Sequence, residues 1–298
     1  RHTICSDVNV VHTCALPISE IQVELKQRIQ RLQEKGVTPK LMTILVGDDP
    51  ASISYLRGIT RTCGEVGVLN ETAKLSANTT QSDLLKKIEE INHDPKVHGI
   101  LLFLPLPKHL NSLEAESAIS PYKDVDGTNP MSAGKLLLGE ETFFPSTPYG
   151  VQELLVRSGH SPEGKHVVIV GRSNIVGKPL IGILVQKQKG ANATVTVCHT
   201  GTKDVAAITQ QADILIAAMG KAKAITADMV RPGTVVIDVG VNFIPDPATG
   251  KNKQVGDVDF EAVKEKASAI TPVPGGTGAV TSVMLMVNTV RAAETLIT

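Results

Sequence analysis

The chain has no tryptophan, and only three tyrosines and five phenylalanines among its 298 residues. A core this poor in aromatic rings must be built from aliphatic side chains, which suits the valine, isoleucine and leucine runs of a buried parallel sheet. Net charge is absent as well, since 30 lysine and arginine residues balance 30 acidic ones. A neutral chain gives no electrostatic reason to expect nucleic acid or an anionic membrane surface as a partner.

Cysteines are few, and Cys5, Cys14, Cys63 and Cys198 form neither a CxxC pair nor a spacing typical of a metal site. We therefore predict free thiols in a reducing compartment and no bound metal. Long hydrophobic runs are missing too, because no segment approaches the roughly 20 apolar residues that a membrane-spanning helix needs.

The chain begins with RHTICSDVNVVHTCALPIS, which lacks an initiator methionine and the apolar centre of a signal peptide. This stretch is also similar to translated adapter sequence. Residues 1–19 are therefore a candidate non-native segment, in which case Cys5 and Cys14 have no bearing on the protein.

The first half of the chain alternates helices and strands. Apolar side chains recur at helical spacing over residues 20–35 and over 82–92, where Ser82 is the predicted N-cap. Continuous apolar runs at 41–47 and 99–107 predict buried strands, and prolines terminate the second. Between them, DDPAS supplies an N-cap aspartate and a first-turn proline for a further helix. This order is typical of an α/β fold.

The second half follows a proline-marked stretch, FFPSTPYG at 143–150, which predicts a domain junction. Five short apolar runs then alternate with helix-like segments, which is the pattern of a doubly wound nucleotide-binding domain. The runs are residues 166–171, 194–199, 213–220, 234–240 and 269–276. Residues 279–297 predict one apolar helix, which we expect to pack back onto the first domain.

A candidate phosphate-binding turn, VVIVGRSNIVGKP, joins the first of these strands to a helix. Its glycines, Gly171 and Gly177, have five residues between them rather than the GxGxxG pattern. About 20 residues further on, where an NAD site has an acid for the ribose, the chain has Thr200 and no carboxylate. Arg172 and Ser173 offer a cation and a hydroxyl instead, which suits the 2′-phosphate of NADP. NAD is the alternative cofactor, and a solvated loop arginine is the alternative interpretation of Arg172.

Two glycine-containing turns follow the fourth and fifth strands of this domain, GVN at 240–242 and PGGTG at 274–278. Ligands of open α/β sheets bind at the carboxyl ends of the strands. These turns are therefore candidate ligand-binding loops, the alternative being plain turn formation.

From about residue 20 to its C-terminus, the chain resembles the methylenetetrahydrofolate dehydrogenase/methenyltetrahydrofolate cyclohydrolase family. The resemblance implies an α/β fold with two α/β domains around a cleft, the second a Rossmann-like doubly wound parallel sheet. The stretches that carry it, in the family's order, are VGDDPAS..SY, LPLPKH, KDVDG.NP, STPYGV, GRSNIVGKPL, GKA..ITADMVRPG.VVIDVGVN, GDVDF and TPVPGG.G.

The family also implies a domain division and partners. Residues 20–146 with 280–298 would form the folate-binding catalytic domain, and residues 147–279 the NADP-binding domain. Implied too are a homodimer through the nucleotide domain, tetrahydrofolate derivatives as substrates in one-carbon metabolism, NADP as cofactor and a cytoplasmic location.

The family's residue roles transfer by matching position. Tyr55 matches the tyrosine that packs against the folate, and Asp126 matches the carboxylate that holds the amino edge of the pterin, a suitable acceptor for two N–H donors. The matched NADP contacts are Gly171, Arg172, Ser173, Thr200 and Val241. The loop between nicotinamide and folate is matched by Pro274, Gly275, Gly276 and Gly278.

Departures from the family pattern fall on the folate side. The family has Tyr-x-x-x-Lys on the first helix, where this chain has Ile59 in the lysine position. The family's glutamine beside that lysine is replaced by Phe103. Thr128, Thr277 and Ala279 also stand where the family usually has bulky apolar, valine and proline residues.

These departures separate the family's two reactions. Hydride transfer needs no proton donor or acceptor in the protein, whereas opening the methenyl ring by water needs positioned acid–base groups. We therefore predict a methylenetetrahydrofolate dehydrogenase whose cyclohydrolase activity is weak or lost. The alternatives are a fully bifunctional enzyme, an enzyme acting on an altered reduced pterin or one-carbon carrier, and a non-catalytic NADP-binding dimer partner.

Overall fold

The computed structural model describes residues 15–245 and 250–296. Residues 1–14, with Cys5 and Cys14, lie outside this range, so most of the candidate non-native segment is not described. The chain divides into two compact units, which we call unit I (residues 19–146 and 281–298) and unit II (which includes residues 147–280). Within the described ranges, no helix is long and apolar enough to cross a membrane.

Unit I contains a three-stranded parallel sheet in the order β2-β1-β3. The strands are β1 Lys40–Val46, β2 Leu69–Leu75 and β3 Gly99–Leu102. The apolar runs predicted β1 and β3 but not β2. That strand has only one neighbour and reads LNETAKL, so its largely exposed side chains leave no continuous apolar run.

A core cluster of unit I joins Ile44 and Ile100 of this sheet to Leu84 and Ile88 of a helix. The helices that accompany the strands in the chain order of this unit are α1 Ala15–Glu34, α2 Pro50–Val66, α3 Gln81–His93, α4 Ser112–Ala118, α5 Pro130–Leu138 and, at the C-terminal end of the chain, α10 Thr277–Thr295.

Helix termini follow the capping residues of the sequence, with one correction. Asp49 caps α2 as predicted, since its carboxylate accepts a 2.8 Å hydrogen bond from the Ser52 amide. The predicted cap Ser82 is wrong: Thr80 has the extended cap conformation and its Oγ1 accepts from Asp83 N at 3.1 Å. Ser82 already lies inside the first turn of α3.

The C-terminal part of α10 is held within unit I by a buried asparagine and a partly exposed ion pair. Asn288 Nδ2 donates to the carbonyl oxygens of Val125 and Phe144 at 2.7 and 2.9 Å. Arg28 and Glu294 form a bidentate ion pair at 2.9 and 2.6 Å. The last helix thus brings its side chains to the segment that carries Asp126.

Unit II is built on a five-stranded parallel sheet in the order β10-β7-β6-β4-β5. All five predicted runs are strands of this sheet, so the doubly wound prediction is confirmed. Because β5 lies on one side of β4 and β6 on the other, the topological switch point falls between β4 and β6. The strands are β4 His166–Val170, β5 Thr194–Cys198, β6 Ile214–Ala217, β7 Val235–Asp238 and β10 Ala269–Ile270.

The sequence did not predict the antiparallel hairpin of unit II, β8 Asn242–Pro245 with β9 Asn252–Val255. Its strands are only four residues long, and seven of their eight side chains are exposed or half-buried, so neither gives an apolar run long enough to predict a buried strand. The helices of this unit, α6 Ser146–Arg157, α7 Gly177–Leu184, α8 Val205–Thr209 and α9 Phe260–Val263, accompany one 3₁₀ turn, Ala227–Met229.

Candidate active site

Helix α2 carries the first two predicted site positions on one face. Tyr55 and Ile59 are four residues apart, so they lie one above the other on the helix. Tyr55 is 37% exposed, whereas Ile59 is 0% exposed and belongs to the core. Ile59, which the family resemblance predicts to stand in the lysine position, is therefore a fully buried alkane on the same helix face as a partly accessible phenol.

Phe103 lies directly after β3 and continues its pairing, since its amide donates to the Ile44 carbonyl at 3.0 Å. Its ring packs edge-on against Tyr55, with 5.8 Å between the centroids and 77° between the planes. Phe103 is only 4% exposed. Phe103, predicted to stand in the family's glutamine position, thus packs against the edge or face of the Tyr55 ring and carries no polar side-chain atom.

Asp126 lies on a tight turn that a second carboxylate holds in place. Asp124 is buried and accepts hydrogen bonds from Asn129 N at 2.9 Å and Ser132 Oγ at 2.6 Å. Gly127 has φ +63°, and a Cβ there would lie 2.8 Å from the Phe143 carbonyl oxygen. The turn therefore requires glycine next to Asp126.

Thr128, one of the departures from the family, is turned toward the same buried carboxylate. Its amide donates to Asp124 Oδ1 at 3.0 Å, and its hydroxyl lies 3.4 Å from the same oxygen. The threonine thus contributes to the turn that presents Asp126.

The electrostatic environment of Asp126 favours its neutral form. Burial raises the pKa of Asp126 to about 6, and the charges of Asp124 and Glu116 add to the rise. The Ser146 hydroxyl lowers the pKa but does not reach hydrogen-bond geometry, and it has no other hydrogen-bond partner among the described residues. Desolvation, and secondarily the Asp126 charge, raises the pKa of Tyr55 above its usual range. Unit I therefore brings Tyr55, Phe103 and Asp126 into one interacting group.

In unit II, Gly171 lies where β4 meets the neighbouring strand β6 at the switch point. Its φ is +140°, and a Cβ there would lie 2.1 Å from the Ala218 carbonyl oxygen. Gly177, at the start of α7, is equally confined, because its Cβ would lie 2.3 Å from the Gly171 carbonyl oxygen. These close backbone approaches need glycine and shape the turn that the sequence predicts to bind a dinucleotide phosphate.

The polar residues of that turn are exposed. Ser173 Oγ accepts from Val176 N at 3.1 Å, which shapes the turn. Arg172 is exposed and makes no hydrogen bond or ion pair within the described part of the chain. Thr200, after β5, is also exposed. An unpaired guanidinium beside a glycine turn fits an anionic cofactor group such as a phosphate.

Val241 and the loop predicted to lie between nicotinamide and folate come together in unit II. Together with Gly240 and Gln254, Val241 and residues 272–279 line a cavity of about 150 Å³. Val241 is 54% exposed. Within the loop, Gly275 has φ +97°, so a side chain there would strain the backbone.

Sequence reasoning missed three buried aspartates that organise these loops, namely Asp124, Asp238 and Asp257. Each stands next to a motif that was recognised. The sequence signals that could have revealed them are the acid that ends the apolar run VVID and the first acids of KDVDG and GDVD. Within the described ranges, His, Cys, Asp and Glu form no group of three or more arranged to hold a metal ion.

Two family profiles match the chain. Residues 15–126 match the catalytic domain of tetrahydrofolate dehydrogenase/cyclohydrolase, and residues 145–297 match the NAD(P)-binding domain of the same family. Among curated relatives, "Bifunctional protein FolD" of Syntrophus aciditrophicus is 56% identical over 275 residues, covering 92% of this chain and 94% of the relative. The protein of the same name from Dehalococcoides mccartyi is also 56% identical, covering 92% and 93%.

Solved structures agree with this assignment. The FolD methylenetetrahydrofolate dehydrogenase/cyclohydrolase of Campylobacter jejuni is 44% identical, has a TM-score of 0.90 and covers 97% of this chain and 99% of its own. The Trypanosoma brucei enzyme, solved with NADP cofactor and inhibitor, is 35% identical with a TM-score of 0.90, covering 97% and 98%. The chain therefore belongs to the tetrahydrofolate dehydrogenase/cyclohydrolase family.

Proposed function

We propose that this protein is an NADP-dependent methylenetetrahydrofolate dehydrogenase whose cyclohydrolase activity is weak or lost. The proposal of weak or lost cyclohydrolase activity rests on the pair of apolar side chains at the positions matched to the family's lysine and glutamine. Ile59 is fully buried and Phe103 packs on Tyr55. Neither can accept or donate a proton.

The dehydrogenase step makes few chemical demands on the protein. A hydride leaves the methylene carbon of 5,10-methylenetetrahydrofolate with its electron pair, and the product is the 5,10-methenyl cation. NADP, when bound, supplies the acceptor carbon for that hydride. The protein's task is to align the reacting atoms at about 3–3.5 Å, and no side chain has to carry a proton in this step.

Side chains suited to that alignment are present in both units. Tyr55, braced by Phe103, offers a ring face for the substrate. The Asp126 carboxylate, when ionised, accepts from the N–H donors at the amino edge of the pterin. Arg172 would pair with the 2′-phosphate of NADP, which supports NADP over NAD. We also propose that Val241 and residues 274–278 receive the nicotinamide end.

Ring opening by water needs a positioned proton acceptor, which the described residues of this site do not supply. Water must lose a proton as it attacks, and positioned acid–base groups typically accelerate such a step by about 10²–10⁴-fold. Tyr55 is a poor base, because burial raises its pKa above the ordinary range. Asp126 titrates near neutrality, with a pKa of about 6, but it is committed to holding the pterin.

The test is a progress curve with the purified protein, methylenetetrahydrofolate and NADP, following NADPH and methenyltetrahydrofolate by their absorbance. We expect methenyl product to accumulate in step with NADPH. Decay of the methenyl signal well above the buffer rate would support the bifunctional alternative, which is the activity of the relatives named above. Cofactor binding without any NADPH formation would instead favour the non-catalytic partner.

The remaining parts of the proposal concern assembly and location. Family membership supports a homodimer formed through the nucleotide-binding domain and a cytoplasmic site of action in one-carbon metabolism. Light scattering coupled to size-exclusion chromatography tests the dimer, because a mass near one chain would contradict it.

A further inference from the structure

The carboxyl ends of β6, β7 and β10 are joined by two buried aspartates that no motif assigned to the site. Asp257 is 0% exposed. Its Oδ2 accepts from Met219 N at 2.6 Å and Gly220 N at 2.9 Å, and its Oδ1 accepts from Lys221 N at 2.8 Å. Three successive amides of the loop after β6 therefore converge on one carboxylate.

The same carboxylate holds the loop after β7. Asn242 Nδ2 donates to Asp257 Oδ1 at 2.8 Å, and Asn242 directly follows Val241, the proposed cofactor contact. The backbone at Gly240 also packs closely against the Asp257 carboxylate, since a Cβ on Gly240 would be 2.2 Å from Asp257 Cγ. Both neighbours of Val241 in the chain, Gly240 and Asn242, thus contact Asp257, which fixes the position of Val241.

Asp238, at the end of β7, ties Asp257 to the sheet. Its Oδ1 accepts from Gly240 N at 2.9 Å and Asp257 N at 3.0 Å, and its Oδ2 accepts from Val258 N at 2.9 Å. Asp238 is also buried, and neither carboxylate pairs with a lysine or arginine in the described part of the chain. Hydrogen bonds from N–H groups therefore offset the cost of burying them.

The main chain of Asp238 reaches the third loop. Its amide donates to Thr271 Oγ1 at 2.8 Å, and its carbonyl oxygen accepts from Thr277 Oγ1 at 3.0 Å. Thr271 and Thr277 bracket the turn at 272–276. The loops after β6, β7 and β10 are therefore parts of one hydrogen-bonded network centred on two carboxylates.

We propose that Asp257 and Asp238 are positioning residues for NADP, which hold Val241 and the 274–278 turn in the arrangement that receives the nicotinamide end. The inference rests on the proposed function, in that unit II must bind NADP. A loop that is not held beforehand has to be ordered by the ligand, and that ordering cost lowers affinity. Among the described residues, the phosphate turn at 171–177 has no hydrogen bond to either carboxylate and meets the loop after β6 through the contact of Gly171 with Ala218. Its contribution to binding should therefore depend much less on Asp257 than that of Val241 and the 274–278 turn.

The experiment measures binding to the full-length Asp257→Asn variant of two ligands, NADPH and adenosine 2′,5′-bisphosphate, which has the adenosine and 2′-phosphate but no nicotinamide. An asparagine keeps one acceptor oxygen and turns an NH₂ group toward N–H donors. We expect the Kd for NADPH to rise about tenfold, the effect of losing one charge-assisted hydrogen bond, and the Kd for the bisphosphate to change less than about twofold. Equal losses for both ligands, or no loss, would overturn the proposal.

Two further variants keep the test decisive. Asn242→Ala removes only one bond to Asp257, so it should fold and raise the NADPH Kd by a smaller factor, about threefold, while sparing the bisphosphate. Asp213→Asn is the control at the amino ends of the strands of the same sheet, where Asp213 accepts from His166 N at 2.9 Å and pairs with Arg231 at 2.9 Å. It should leave both affinities unchanged. A wild-type protein that binds neither ligand would refute the proposed NADP site and this inference with it, whereas tight NADPH binding insensitive to Asp257 and Asn242 would refute only the inference.

Discussion

Replacing Ile59 by lysine puts an ammonium group into the core of unit I. The side chain at this position is completely buried, so the substitution loses about 1.5–3 kcal/mol of apolar burial. An unpaired buried charge costs about 3–5 kcal/mol, unless the amine becomes neutral. We therefore expect Ile59→Lys alone to lower the free energy of unfolding by several kcal/mol, and burial to lower the pKa of the new amine. A neutral amine at this position is the base that water attack needs.

Phe103→Gln alters both the stability of the Ile59→Lys protein and its expected rate of hydrolysis. It removes an edge-to-face contact with Tyr55, worth about 0.5–1.5 kcal/mol, and introduces an amide beside the same helix face. In the double variant the amide offers a hydrogen-bond partner to the new amine, so the two changes should compensate each other in part. We expect the double variant to hydrolyse methenyltetrahydrofolate about 10²–10⁴-fold faster than the starting protein and faster than either single variant.

The assay follows the decay of added methenyltetrahydrofolate, with urea unfolding of each variant in parallel. Ile59→Met is the matched control, because it conserves volume and burial but adds no base. Hydrolysis that rises equally in the methionine control, or that fails to rise in a folded double variant, would refute the reasoning about these two positions.

Three other changes test separate parts of the account. Arg172→Ala should raise the KM for NADP by about 10–100-fold and leave that for NAD nearly unchanged, since it removes one charged phosphate contact; equal effects on both cofactors would contradict the assignment. The pKa of Asp126, about 6, is raised above its ordinary value, so its contribution to stability is fully present at acid pH and is lost as pH rises through about 6. The folate KM should rise below pH 6 as the carboxylate protonates, and Asp126→Asn should abolish both pH dependences; a KM profile unchanged in that variant would exclude Asp126 as their source. Asp49→Ala removes the α2 cap and should lower the free energy of unfolding by about 1 kcal/mol in urea titrations, whereas an unchanged midpoint would show that the cap contributes nothing.

The sequence predicted the parts of the fold that have a local signal. Strands β4, β6, β7 and β10 of the unit II sheet consist mainly of buried apolar residues, as expected where a sheet is covered on both faces. The edge strand β5, TVTVC, alternates threonine and valine and is largely half-buried. The edge strand β2 and the hairpin β8–β9 were missed because their side chains are mostly exposed or half-buried and form no long apolar run. The cap of α3 was misplaced by two residues because Thr80 and Ser82 are both good caps, and only backbone conformation distinguishes them.

The candidate site also has parts that the sequence could predict and parts that it could not. Tyr55 and Asp126 stand in stretches that resemble a known family, so the sequence alone was enough to predict them as site residues. The packing of Phe103 on Tyr55 and the network around Asp257 join segments that are distant along the chain. Such contacts exist only after parallel strands have brought their carboxyl ends to one edge, and no local pattern records them.

The central claim is that this protein oxidises methylenetetrahydrofolate without opening the methenyl ring. The most direct measurement supplies methenyltetrahydrofolate itself to the wild-type protein, without cofactor, and compares its rate of decay with that in enzyme-free buffer and with the turnover of the dehydrogenase step. The account predicts decay close to the buffer rate while the dehydrogenase step proceeds. Decay at a rate comparable to the dehydrogenase turnover would contradict it and establish a bifunctional enzyme that works without the lysine.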